Sequence, residues 1–247
     1  MKQSKAATTA TAVKYTFKAL GLILVFGTIG ILLWRVFTAG NPKDMENLSV
    51  NEALVEAWNK AESEGRELTI YTPVMPDGSQ ITSVLGKNYS YFAVTHNVFI
   101  EEAHQVQVLF RYNNSTIRHL KEDYDLPEMP SRSDELYDVT LVVAYDLTPS
   151  DATDNDGNHS ESVRFERFHA TDSVADKKNL YNYRRFTFDG IDMNDPESPV
   201  LAVYVDIYYN EDVNYDKDAY GTIPIYDYAA ERTPYKLSGD DKKNLIK

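Results

Sequence analysis

The sequence predicts a mainly β protein: an antiparallel two-layer sandwich-like extracytoplasmic domain, preceded by one transmembrane helix and a short juxtamembrane helix. Three observations carry this. A single long apolar run, Ala19 to Trp34, lies between Lys18 and Arg35. From Leu68 onward apolar residues recur with a period of two, and most of those segments have no helical pattern between them. The charge is also divided. Residues 1–40 hold five cations and no acid, so the net −13 of the 247-residue chain leaves −18 for the remainder.

Residues 1–18 read as a cytoplasmic tail carrying Lys2, Lys5, Lys14 and Lys18, and residues 19–37 as a signal-anchor helix. The stretch from Tyr15 to Thr38 rises about 36 Å as a helix, enough for a hydrocarbon core of about 30 Å when Lys18 and Arg35 reach outward. Tyr15 and Trp34 stand near its ends, where aromatic rings favour the interface. A cleaved signal peptide fits less well, since cleavage after Ala39 would put Phe37 where a small residue is required. The excess of cations before the span places the N-terminus in the cytoplasm and residues 40–247 outside.

Residues 38–66 form a linker and a juxtamembrane amphipathic helix. Asn41-Pro42 breaks the chain, Ser49 and Glu52 have the spacing of a capping box, and Val50, Leu54, Ala57, Trp58 and Ala61 make one apolar stripe that Gly65 ends. Trp58 is expected to pack on the domain rather than on lipid.

Residues 67–230 are the β-rich domain. Strong alternation marks strands at 106–112, 139–147 and 201–209; weaker strands are read at 68–72, 90–100, 162–170, 180–189 and 220–228. Turn chemistry at Pro76–Ser79, Asn155–Asn158 and Asp189-Gly190 separates them. Residues 121–137 and 148–161 read as polar loops, and 231–247 as a mobile polar tail with one frayed helical turn after Ser238.

Composition excludes several function classes. The absence of cysteine removes disulfides, zinc–thiolate sites and cysteine nucleophiles. In an exported domain it points to a bacterial cell surface, where bridges are less common. An acidic domain lacks the cations that neutralise phosphates, so no nucleic-acid partner is expected. No cofactor is expected, with calcium as the one ion for which a candidate exists: Asp151, Asp154 and Asp156, in an Asp-rich loop that offers hard oxygen ligands. That loop is not an EF-hand, because aligning Gly157 puts Ala152 and Val163 at ligand positions. His96, His104, His119, His159 and His169 show no zinc spacing, and no nucleophile or phosphate-binding motif occurs.

One window runs against the acidity. Between Val163 and Phe188 six cations oppose three acids. If 162–170 and 180–189 paired as a hairpin, Phe165 would face Arg185 and Arg167 would face Tyr183. Arg164, Arg167, Arg184, Arg185 and Tyr183 would then form a cationic aromatic interaction patch for a protein or glycan partner. The tyrosines of the last third, Tyr204 to Tyr228, offer a second platform. These readings converge on a single-pass membrane-anchored binding or scaffold protein outside the cell. An envelope polysaccharide hydrolase with unassigned carboxylates, and a calcium-stabilised adhesion module, are the alternatives.

Overall fold

The computed structural model describes residues 2–37, 41–74, 84–85, 92–113, 137–147, 163–178, 181–209, 219 and 221–246. The chain divides into two compact units, residues 1–40 and 41–247. The first is one helix, α1 (Lys2–Phe37). Its stretch from Tyr15 to Trp34 is long and apolar enough to cross a membrane, and none of it is buried against protein. The helix starts well before the apolar run because Ala6, Ala7, Ala10 and Ala12 are strong helix formers.

The second unit is mainly β. Helices α2 (Lys43–Glu46) and α3 (Glu52–Ser63) lead into strands β1 (Ile70–Val74), β2 (Val84–Leu85), β3 (Phe92–Ile100), β4 (Gln105–Tyr112), β5 (Tyr137–Asp146), β6 (Val163–His169), β7 (Asp172–Lys178), β8 (Tyr181–Asp189), β9 (Val200–Tyr209), β10 (Gly221–Asp227) and β11 (Glu231–Pro234). A C-terminal helix, α4 (Gly239–Leu245), closes the unit. The strands form two antiparallel sheets. The larger runs β11-β1-β3-β4-β8-β7, with β2 also pairing β3, and the smaller runs β10-β9-β5-β6.

Period-two alternation gives each sheet one apolar face, and the two faces share one core. Val106, Val108, Phe110, Phe186 and Phe188 from the larger sheet join Leu141, Val143, Val203, Val205, Ile207, Ile223 and Ile225 from the smaller in a single buried cluster. Burial of each such side chain is worth about 1.5–3 kcal/mol. Asn97, buried on β3, donates from Nδ2 to the Ile225 carbonyl of β10 at 2.9 Å, joining the sheets at a polar point.

Three expectations change. First, α3 is capped by Asn51, whose Oδ1 accepts from the Leu54 N–H at 3.0 Å, two residues later than the capping box at Ser49. Ser49 is drawn onto β4 instead: its N–H donates to Gln107 Oε1 at 2.7 Å, and Gln107 Nε2 returns a bond to its carbonyl at 2.8 Å. Gly65 does end the helix, with φ +70°; its N–H bonds the Glu62 carbonyl and the Arg66 N–H bonds that of Ala61.

Second, 162–170 and 180–189 do not pair. An unforeseen strand, β7, lies between them. β6 pairs β5 in the smaller sheet, while β8 pairs β4 and β7 in the larger. Arg167 faces Val142 and Phe165 faces Ala144. The sequence of β7, DSVADKK, has no apolar alternation because it is an edge strand with both faces toward solvent. Third, residues 231–246 are built into the fold. β11 pairs β1, and Ser238 and Asp241 form a complete capping box at α4, which buries Leu245. The loop around Asp151, Asp154 and Asp156 lies outside the described residues, as do 121–136 and 148–161.

Candidate functional site

The predicted patch residues divide between the two sheets. In the smaller sheet, Arg167 reaches across the face opposite the core. Its Nη1 donates to Thr140 Oγ1 at 2.7 Å, to Asp206 Oδ2 at 3.1 Å and to the Tyr208 hydroxyl. Thr222 Oγ1 adds a 2.6 Å bond to Asp206 Oδ1, so the carboxylate is held from both sides. The guanidinium also lies over the Tyr208 ring. Arg164 pairs with Glu166 at 3.5 Å and covers the Tyr145 ring. Burial, then the neighbouring Glu166, push the Tyr145 hydroxyl pKa up to about 12, against the opposing pull of Arg164.

In the larger sheet, Arg184 lies over Phe186, Tyr183 is buried beside Met45 and Leu109, and Arg185 is buried with its Nη1 donating to the Asn47 carbonyl. Burial pushes the Arg185 pKa down, while Asp172 and Asp241 favour its charge. Arg185 and Tyr183 are therefore structural, and the five residues do not form the single patch that a hairpin would have made. Arg164 and Arg167 belong to the smaller sheet, with exposed Phe165 between them.

The larger sheet's face opposite the core is covered by the two ends of the β unit. Lys178 Nζ donates to the Asn41 carbonyl, and residues 45–51 then lie over β8 and β4 through the bonds to Arg185 and Gln107. Gln105 Nε2 bridges Asn51 Oδ1 at 3.0 Å and Asp189 Oδ1 at 2.7 Å, and Thr171 Oγ1 donates to Asp189 Oδ2 at 2.6 Å. From the other terminus comes Asp241, which is fully buried. Its carboxylate accepts from the Leu48 N–H at 2.7 Å, the Ser238 N–H at 2.8 Å and the Tyr235 hydroxyl at 3.2 Å. His96 sits under this junction with its ring 5.6 Å from that of Tyr235. Its pKa is lowered by burial first and by Arg185 second, with Asp241 partly offsetting them.

Beside this junction opens a groove of about 850 Å³ between α3, β1, β11 and α4. Trp58, Leu68, Ile70, Tyr235 and Leu237 supply apolar wall, and Lys236 and Lys242 are exposed at its margin. Glu101 at the groove is already paired with Arg232 at 2.6 Å. The indole Nε1 of Trp58 is buried with no hydrogen-bond partner, and so is the Tyr71 hydroxyl. Burial moves the Tyr71 and Tyr235 hydroxyl pKa values upward, reinforced at Tyr235 by the Asp241 carboxylate and opposed at Tyr71 by Arg232. A roomy concavity with aromatic wall and a few convergent polar groups is the usual form of a ligand site. Trp58 had been expected to pack on the domain, and it does. Tyr235, Lys236 and Leu237 were missed, because they fall in a segment that looks like a tail. The signals were there: Tyr235 and Leu237 alternate, and Ser238-x-x-Asp241 has capping-box spacing.

Among the described residues, no group of three or more histidines and acids stands close enough to hold a metal. Compared with family models, curated proteins and solved structures, the chain finds no match.

Proposed function

We propose that the chain is a single-pass membrane protein with a cytoplasmic N-terminus, whose β domain stands outside the cell as a rigid binding platform. On this reading the two sheets pack as the layers of a sandwich, a view supported by their shared core and the Asn97–Ile225 bond. The cation-rich tail before Tyr15 supports the orientation, and the lack of cysteine a bacterial envelope.

The groove beside Trp58 is the observation that carries the binding reading. Its wall suits an apolar or aromatic side chain, and Lys236 and Lys242 favour an anion. The ligand that combines these is an acidic segment of a partner protein with an apolar residue next to its carboxylate. The domain's own acidity, −18 outside the anchor, repels such a segment everywhere else, which makes the local cations selective.

The test is site-specific photocrosslinking of the full-length chain in its native membranes. A photoreactive residue replacing Leu237 is expected to give one discrete adduct, absent when it replaces the exposed Tyr228. The Lys236→Glu, Lys242→Glu pair should reduce that adduct at least fivefold. No adduct at 237, or one indifferent to the charge reversal, would remove the groove as the site.

A further inference from the structure

Five strands lie at sheet edges among the described residues, and three of them are guarded against pairing by short length, proline or a bulge. β2 has only two residues. β11 has four and ends on Pro234. β10 carries Pro224, which has no N–H to offer, and its ladder is broken by a bulge between Pro224 and Tyr226. β7 presents Asp172, Asp176 and Lys177 to solvent. Short length, proline, bulges and exposed charge are the usual devices that keep an edge from recruiting another strand.

β6 also carries exposed charge, Arg164 and Glu166, but unlike β7 it sets them about an exposed aromatic ring. It runs seven residues, holds unbroken register with β5 from Asp146↔Val163 to Thr140↔His169, and contains neither proline nor lysine. Phe165 is 65% exposed and Val163 39% exposed on the same face. Its two opposite charges, Arg164 and Glu166, flank Phe165 symmetrically. The charges that guard this edge against other strands are complementary, about Phe165, to those of a second copy of β6.

We propose that β6 is a homodimer interface, in which two copies of the chain pair their β6 strands antiparallel about a two-fold axis at Phe165. A two-fold axis perpendicular to the sheet keeps both core faces on the same side, so it must pass through a residue pair rather than between residues. Centred on Arg164, Glu166 or Arg167, the register sets like charges directly opposite each other, which is unfavourable. Centred on Phe165, it stacks Phe165 on its mate, sets Arg164 opposite Glu166 of the second copy twice over, and puts Val163 opposite Arg167. The two four-stranded sheets become one continuous sheet.

A single strand edge buries less surface than the 1,200 Å² or so of a stable soluble complex. Confinement to one membrane raises the effective concentration and offsets that shortfall; in this respect alone the inference rests on the anchored reading.

Because the natural chain has no cysteine, one substitution reports the contact without background. Directly opposed residues in an antiparallel pair have Cα atoms about 4.5–5.5 Å apart, within disulfide reach. In full-length protein in native membranes, treated with copper phenanthroline in air, Phe165→Cys should form a disulfide dimer at least tenfold more than Val163→Cys. The two-fold mates of residue 163 stand about 13 Å apart, four residues along the strand. Adding Arg164→Glu should reduce the Phe165→Cys dimer at least fivefold by facing Glu with Glu, and adding Glu166→Arg to that variant should restore it. Both positions are exposed, so loss of fold does not explain a loss of crosslinking that a second charge reversal rescues. Equal crosslinking at 163 and 165, or no response to Arg164→Glu, would overturn the proposal. Alkaline washing of the same membranes reads the anchor separately, so a soluble chain and an unpaired edge are told apart.

Discussion

The two sheets bury their core faces in the same way and treat their opposite faces differently. On the larger sheet, residues 45–51 and 235–245 cover Gln105, Gln107, Arg185 and His96, and backbone groups of those segments meet the buried side chains. On the smaller sheet the face organises itself, with Arg167, Thr140, Asp206 and Tyr208 satisfying one another from within the sheet. The difference separates two uses of a buried polar group. The larger sheet uses hydrogen bonds to position chain segments that are distant in sequence, whereas the smaller sheet uses them to neutralise a carboxylate, Asp206, that its own face buries. At the start of the β unit the Asn41 carbonyl is held by Lys178 Nζ.

The largest effect expected from breaking this contrast is at Asp241. Asp241→Ala strands the Leu48 and Ser238 N–H groups and the Tyr235 hydroxyl, and should cost about 3 kcal/mol, the upper end for unpaired buried donors. It should also raise hydrogen exchange in residues 45–51, although these lie almost two hundred positions away in sequence. Mass-resolved exchange together with denaturant melting checks both; protection unchanged at 45–51 would show that the two ends are held independently.

Arg167→Met comes next. It leaves the buried Asp206 carboxylate with Thr222 and Tyr208 but without its cation, in a pair whose Arg167 side is 32% exposed to water. The expected loss is about 1.5 kcal/mol, with exchange in residues 45–51 unaltered. Thermal melts of the variant against the natural chain measure it.

His96 gives the smallest effect and the one confined to the covered face. Its folded pKa lies below the ordinary 6.5, so the unfolded chain takes up a proton first as pH falls. The stability that neutral His96 contributes is therefore complete above pH 6.5 and is lost as pH falls from there through its depressed folded value. His96→Gln should flatten the fall in melting temperature between about pH 6.5 and 5, while Arg167→Met leaves that slope in place. An unchanged slope in His96→Gln would show that the acid sensitivity arises elsewhere.

How much of this was legible beforehand varies with the kind of signal. The N-terminal apolar helix, the amphipathic helix α3 and eight of the strands follow from hydrophobic period, because the property that defines them is local. β7 and β11 were invisible, since edge strands exposed on both faces leave no alternation to read. The β6–β8 hairpin was a reasonable inference from proximity and a wrong one: β7 intervenes, and the chain crosses from one sheet to the other within Ala170 and Thr171. The charge-rich window is therefore shared between two sheets. The groove escaped notice because nearly half its wall comes from residues 232–242, whose composition is that of a solvated tail.

From the order of its residues alone, this chain determines an apolar N-terminal helix of given length, a cysteine-free acidic domain and the alternation that makes sheets. These are sums or periods over neighbouring residues. Tertiary structure decided which strands meet, which charges are neutralised, and that the two ends of the β unit close over one face. Those depend on long-range pairings such as Leu48 with Asp241 and Arg185 with Asn47, where each partner is an ordinary polar residue until the fold removes water from both. The edge at β6 belongs to both accounts: its charges are written in seven consecutive residues, but only the sheet order shows that, among the described residues, β5 alone pairs with it.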